Sequence, residues 1–122
     1  MAQHNELGKQ GEDIAEHLLQ EKGYDILERN WRWRKNEIDL IATKENILVF
    51  VEVKSRRDCV FGNPEDAIDM PKIRRTVTAA EAYIKKKKFD GKVRFDVISI
   101  VGMKQPFEIK HIEQAFYPPL EH

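Results

Sequence analysis

With a single cysteine, Cys59, the chain has no partner for an internal disulfide, which fits a reducing cytoplasm. No histidine lies near Cys59 in sequence to activate it, so an inert thiol is expected. No apolar run is long enough to span a bilayer, and the amino terminus lacks the pattern of a signal peptide. A soluble cytoplasmic protein with no membrane partner is the expectation. Net charge is missing too, because 21 Lys and Arg balance 21 Asp and Glu. That balance counts against an indiscriminate nucleic-acid coat protein, which is normally basic overall. It leaves open an enzyme whose metal-binding carboxylates offset a basic docking surface. His4, His17 and His111 lie far apart with no ligand spacing, which argues against a zinc site. Repeats, low-complexity linkers and internal boundaries are absent as well. The 122 residues suffice for one core but not two. A single domain over 1–119 is expected, with Leu120-Glu121-His122 reading like the start of a vector-encoded tag.

Charge is unevenly distributed. Residues 29–35 hold Arg29, Arg32, Arg34 and Lys35 without an acid, and residues 72–88 hold seven bases against Glu81. Clusters of this kind form an electrostatic footprint, although a solvated helix face looks similar.

Leu7, Gly11, Ile14, Ala15 and Leu18 give a helical stripe over about Asn5–Lys22, stopped by Gly23 at the position after the last helical turn. Glu12 lies beside that stripe. Residues 25–54 read as a three-stranded antiparallel meander of Asp25–Trp33, Glu37–Thr43 and Ile47–Lys54, turning at Arg34-Lys35-Asn36 and Lys44-Glu45-Asn46. A polar loop with Gly62 and Pro64 leads to a helix starting at Asp69 or Met70. Its buried stripe is Ile73, Val77, Ala80 and Ile84, and its end is marked by Lys85 to Lys88. Strand, helix and the strand Arg94–Val101 in that order imply a right-handed parallel crossover. Glu108–Ile112 adds a last short strand. The expected fold class is α/β, with a mixed central sheet between helices.

Two short strings carry the chemistry. Glu37-Ile-Asp39 is followed, thirteen residues after the aspartate, by Glu52-Val-Lys54, each inside a run of apolar β-formers. A period of two puts Glu52 and Lys54 on one face, roughly 7 Å apart, within reach of one phosphate and its metal. Glu37 and Asp39 are expected to share a face of the preceding strand, with Glu37 as a reserve carboxylate. Charges in so apolar a setting are costly unless paired or holding a cation. The second hairpin folds Asp39 back toward Glu52, and the two share a face only in one parity of register. Carboxylate, carboxylate and lysine on paired strands is the composition of a Mg²⁺- or Mn²⁺-dependent phosphodiester-cleaving site. The bland alternative is a pair of strand charges satisfied by Lys54 and Arg56. Trp31 and Trp33 share a face and either stack on unpaired bases or pack in the core or a dimer interface. Arg29, Arg32, Arg56, Arg57, Lys72, Arg74 and Arg75 are candidate phosphate contacts.

This order of elements, with Asp39 and Glu52-Val-Lys54 on the central hairpin, resembles the PD-(D/E)xK superfamily of restriction-endonuclease-like nucleases. The strings Arg29-Asn30-Trp31-Arg32, Glu37-Ile-Asp-Leu-Ile41, Val49-Phe-Val-Glu-Val-Lys54 with Arg56 and Arg57, and Arg94-Phe-Asp-Val-Ile98 resemble the YraN family. That family is a set of small bacterial endonuclease-like proteins similar in fold to archaeal Holliday-junction resolvases. The resemblance runs from Gly8 to about Phe116. Asn36 departs from it, because the family usually has Gly before Glu-Ile-Asp; Asn is the next best left-handed turn residue. The resemblance implies a restriction-endonuclease-like sandwich with Glu12, Asp39, Glu52 and Lys54 as catalytic residues. Asp39, Glu52, the Val53 carbonyl and Glu12 would hold Mg²⁺ or Mn²⁺. The implied function is a metal-dependent, structure-selective DNA endonuclease acting on branched or otherwise non-B-form DNA. Cutting both strands of a junction would favour a two-fold homodimer. The alternative is a catalytically weak nucleic-acid- or partner-binding module that retains the nuclease fold.

Overall fold

The structure is a computed structural model and describes residues 2–57, 70–102 and 106–116, with side chains from residue 8 onward. Cys59, the loop with Gly62 and Pro64, Asp69 as a helix start, residues 120–122 and the side chains of His4 and Leu7 lie outside the described residues.

Helix α1 spans Ala2–Glu21, beginning three residues earlier than the sequence pattern indicates. It ends as Gly23 requires. The Gly23 N–H donates to the Gln20 carbonyl at 3.0 Å and the Tyr24 N–H to the Leu19 carbonyl at 2.9 Å. Gly23 sits at φ +93°, where a side chain would be strained.

The meander follows as β1 (Asp25–Trp33), β2 (Asn36–Lys44) and β3 (Ile47–Arg56). Glu45 and Asn46 both take positive φ, 52° and 63°, as a two-residue hairpin matched to strand twist demands. The first hairpin corrects the sequence expectation. Trp33 pairs with Asn36, so Asn36 already belongs to β2, and the left-handed conformation falls on Arg34 at φ 59°. The Arg34 guanidinium lies over the Trp33 ring at 4.4 Å.

Helix α2 spans Met70–Lys87, β4 Lys92–Val101 and β5 Glu108–Ile112. The five strands form one sheet in the order β1-β2-β3-β4-β5. Only β3 and β4 run parallel, as a strand–helix–strand crossover requires; every other pair is antiparallel. Alternation along β3 divides the core. Val49 and Val51 pack with Ala15 and Leu19 of α1, while Leu48 and Phe50 pack with Val77, Ala80 and Tyr83 of α2. The two helices therefore cover opposite faces. The fold is an α/β sandwich around a mixed sheet, consistent with the restriction-endonuclease-like class. Trp31 and Trp33 both pack in the α2-side core, Trp31 edge-on to Tyr83 at 5.1 Å. Among the described residues no helix is long and apolar enough to cross a membrane.

Candidate functional site

The β2–β3 ladder carries the register on which the site depends. Leu40 pairs with Val51 and Ala42 with Val49, which makes Asp39 and Glu52 the next residues outward on their strands. There the pairing stops, and the Val53 N–H donates to Asp39 Oδ2 at 2.8 Å. A side-chain carboxylate stands where a backbone partner would otherwise be.

The local cause is a rotation shared by β1 and β2. Leu40 packs toward α1, yet Ile38, two residues away, packs toward α2. On β1, Arg29 reaches the acids of α1 while Trp31 packs on Tyr83 of α2. Arg29 pairs with Leu40 and Trp31 with Ile38, so both strands turn over together between those rungs. Asn30 sits at the break with φ 53°, and Asp39 lies opposite it. Strict alternation fails at Asp39, the candidate carboxylate of β2.

Glu52 is buried, at 7 % exposure. Its Oε1 lies 3.4 Å from Lys54 Nζ and 3.3 Å from Lys72 Nζ. Lys54 is its same-face neighbour on β3; Lys72 reaches over from α2. Burial raises the Asp39 pKa, and the Glu52 charge adds to it; the Val53 N–H opposes, Glu12 raises it a little further, and Lys72 lowers it. The outcome is an Asp39 carboxyl pushed up to about 7. Glu12, Glu52 and Lys72 are thus each within electrostatic reach of Asp39, although the four come from α1, β3, α2 and β2.

Glu12 is engaged by side chains of β1. Its Oε1 accepts from the Asn30 side-chain amide at 3.1 Å and lies 3.4 Å from Arg29 Nε. Gly11, its neighbour, brings α1 close to β3: a Cβ there would sit 2.1 Å from Ser55 Oγ. Arg29 also contacts Asp13 at 2.6 Å and Glu16 at 3.4 Å. Burial alone would lower its pKa, but Asp13 and then the other acids hold it above its usual value. Arg29 is therefore the cation that docks α1 on β1. Arg32 pairs across the strands with Glu37 at 2.9 Å, which also occupies the reserve carboxylate. These residues line an open groove of about 710 Å³ with Gly8, Lys9, Glu12 and Asn30. No residue of α2 joins that lining. Arg57, Arg74 and Arg75 are exposed, and Arg56 is half-buried.

Among the described residues, no three His, Cys, Asp or Glu side chains are gathered into a set that could hold a metal as they stand. Asp39 and Glu52 have the oxygen chemistry for a hard cation. A third carboxylate would require Glu12 to leave Arg29 and Asn30.

Sequence reasoning missed a second charged cluster. Asp96, fully buried, accepts from Arg94 Nε and Nη2, both at 2.9 Å, and from the Gln114 N–H at 3.0 Å, and it lies 2.7 Å from His111 Nε2. Burial would raise its pKa, but the hydrogen bonds from His111, Arg94 and Gln114 outweigh that and hold it below the ordinary carboxylate value. Arg94 also bonds the Tyr24 hydroxyl. Arg94 and Asp96 share a strand face by alternation, which was the available signal; the approach of His111 from β5 was not legible.

The family described as "Uncharacterised protein family UPF0102" has a sequence model that matches residues 11–100. A UPF0102 protein of Bacteroides thetaiotaomicron is 55% identical over 120 residues, covering 98% of this chain and 99% of the relative. One from Flavobacterium psychrophilum is 50% identical over 117 residues, covering 96% and 98%. One from Parabacteroides distasonis is 45% identical over 119 residues, covering 98% of both.

Proposed function

The chain belongs to the uncharacterised protein family UPF0102, the YraN family, and from that premise we propose that it is a divalent-cation-dependent DNA endonuclease. Its substrate is branched or otherwise non-B-form DNA, and its reaction is hydrolysis of a phosphodiester bond. The observation that carries this reading is the Asp39 carboxyl, held where the β2–β3 ladder ends and pushed up to about 7 by burial and by Glu52. Two acids close enough to oppose each other's ionisation weaken the fold and suit a hard cation.

Asp39 and Glu52 would hold Mg²⁺ or Mn²⁺, with the Val53 carbonyl and Glu12 completing the protein's share. Such a cation neutralises charge on the phosphate and acidifies an attacking water. Lys54 donates to a phosphate oxygen, where its charge stabilises the transition state. Glu12, once turned from Arg29, accepts from and orients the water. The exposed Arg57, Arg74 and Arg75, with Arg56 and Lys72, position the backbone without reading sequence. A two-fold homodimer would place one such site on each strand of a junction.

The test is cleavage of a panel of branched and linear DNAs with Mn²⁺. Wild type should nick junction or flap DNA in preference to linear duplex. Asp39→Asn should lose both divalent binding and cleavage. Lys54→Ala should keep divalent binding while cleavage falls by roughly two to three orders of magnitude, the scale for removing one transition-state donor. DNA binding without cleavage of any substrate would favour the catalytically weak binding module instead.

A further inference from the structure

Among the described residues other than glycine, Asn30 alone takes positive φ inside a strand. It does so at 53° in β1, whereas Arg34, Glu45, Asn46, Lys88 and Gln114 take theirs in turns or just past element ends. A left-handed residue that no turn explains is costly and persists where its surroundings hold it, commonly at functional sites. Two consequences of this one meet at the candidate site. The first is in the backbone. Arg29 pairs with Leu40 and Trp31 with Ile38, so both strands turn over at the rung between, where Asn30 lies opposite Asp39. Asp39 thereby leaves strand alternation and accepts the Val53 N–H at 2.8 Å, next to Glu52 on β3. The second is in the side chain. The Asn30 amide donates to Glu12 Oε1 at 3.1 Å, and Arg29 Nε lies 3.4 Å from the same oxygen. Among the described residues both contacts fall on Oε1, so Oε2 can accept a further hydrogen bond. Arg29 keeps Asp13, Glu16 and the Lys9 carbonyl when Glu12 turns from it, and Asn30 remains as the tether. Asn30 and Glu12 both line the open groove of about 710 Å³, where water has access. Glycine would supply the left-handed backbone without an amide; asparagine supplies both.

We propose that Asn30 is a positioning residue that divides the acids between two tasks: its left-handed backbone sends Asp39 to the cation with Glu52, and its amide keeps Glu12 off the cation and on the attacking water. The proposal rests on the nuclease reading of the same carboxylates and adds to it the residue that sets both. Glu12 meets the cation through that water.

Asn30→Gly keeps the left-handed backbone and removes the amide. By isothermal titration its Mn²⁺ affinity should not weaken, and with Ca²⁺ in place of Mn²⁺ its affinity for junction DNA should match wild type. Its cleavage rate in Mn²⁺ should nevertheless fall about ten- to a hundred-fold, the range for losing a partner that orients a group at a metal site. In a Glu12→Gln background the same substitution should cost nothing further, because both changes act through one carboxylate. Asn30→Val, whose branched side chain disfavours the left-handed region, should lose Mn²⁺ affinity by about ten-fold or more as Asp39 returns to alternation. Circular dichroism melting establishes that each variant folds, and Asn30→Ala takes the place of Asn30→Val if the latter does not. Weaker Mn²⁺ binding by Asn30→Gly overturns the division of tasks, because Glu12 is then a direct ligand that the amide holds in place. Unchanged cleavage, or an equal further loss in the Glu12→Gln background, overturns the role of the amide. Mn²⁺ affinity equal to wild type in the folded valine or alanine variant overturns the role of the backbone. Each of these leaves the nuclease reading standing, whereas a wild type that neither binds Mn²⁺ nor cleaves overturns both.

Discussion

Asp39 concentrates what single residues contribute to this site. Its carboxyl is drawn out of the strand's alternation to take the Val53 N–H, and its pKa rises from 3.8 to about 7. A raised carboxylate pKa means that between about pH 4 and 7 the folded protein holds a proton the unfolded chain has lost. Stability therefore falls as pH rises through that window, and the loss is complete above about 7. In EDTA, wild type should melt lower at pH 8 than at pH 5.5. Asp39→Asn keeps an oxygen for the Val53 N–H but has no charge to lose. It should flatten that dependence and, at pH 8, exceed wild type by on the order of 1–2 kcal/mol. Thermal melts of both proteins at the two pH values check this, and a parallel slope in the variant would place the titration elsewhere. Glu52 and Lys54 were legible as neighbours because a strand's period of two fixes them two residues apart on one face. The Asp39 placement was legible only as a condition on register. Its exact aim depends on the rotation at Asn30, which no alternation pattern encodes.

Elements bring these residues together through their ends and their close approaches. The α1 stop at Gly23 and the type of every described strand follow from period and punctuation, so the order of elements could be read directly. Left-handed positions filled by residues other than Gly and Asn, such as Arg34, Glu45 and Lys88, could not. The second helix ends in the same double-bonded cap as the first, with the Phe89 N–H donating to the Ile84 carbonyl at 3.1 Å and the Lys88 N–H to the Lys85 carbonyl at 3.3 Å. Lys88 occupies the left-handed position at φ 55°, where glycine carries no steric cost. Lys88→Gly should therefore raise stability by about 0.5–1 kcal/mol without altering divalent affinity. A urea melt measures the first and titration the second; a loss of stability would mean that the lysine charge at the helix end outweighs backbone strain. Gly11 obeys the opposite logic. The closeness of Ser55 Oγ, and of Ser55 Cβ at 3.4 Å from an added Cβ, makes it the point where α1 approaches β3, next to Glu12.

Across the whole molecule, net charge of zero conceals cations with two different tasks. Arg29 is spent on Asp13, Glu12 and Glu16, and Arg32 on Glu37, so the basic string 29–35 mostly braces α1 and the first hairpin. Sequence could locate that string but not its partners, because the acids that claim Arg29 lie a helix away and meet it only in the folded chain. Arg74 and Arg75, exposed on α2, follow Lys72 toward the solvent side of the same helix and are the better candidates for phosphate. Arg74→Ala and Arg29→Ala should consequently fail in different ways. Removing Arg74 should weaken binding to all DNA sequences about equally and lower the salt slope of log affinity by about 1, since one fewer counterion is released. Its melting temperature should stay within the small range of surface substitutions. Removing Arg29 leaves three α1 acids facing one another without their cation, so it should lower the melting temperature and change DNA affinity only through loosened docking of α1. Filter-binding across a salt series together with melting curves separates the two. If Arg29→Ala melts as wild type while flattening the salt slope, Arg29 serves phosphate and α1 is held by its apolar stripe alone.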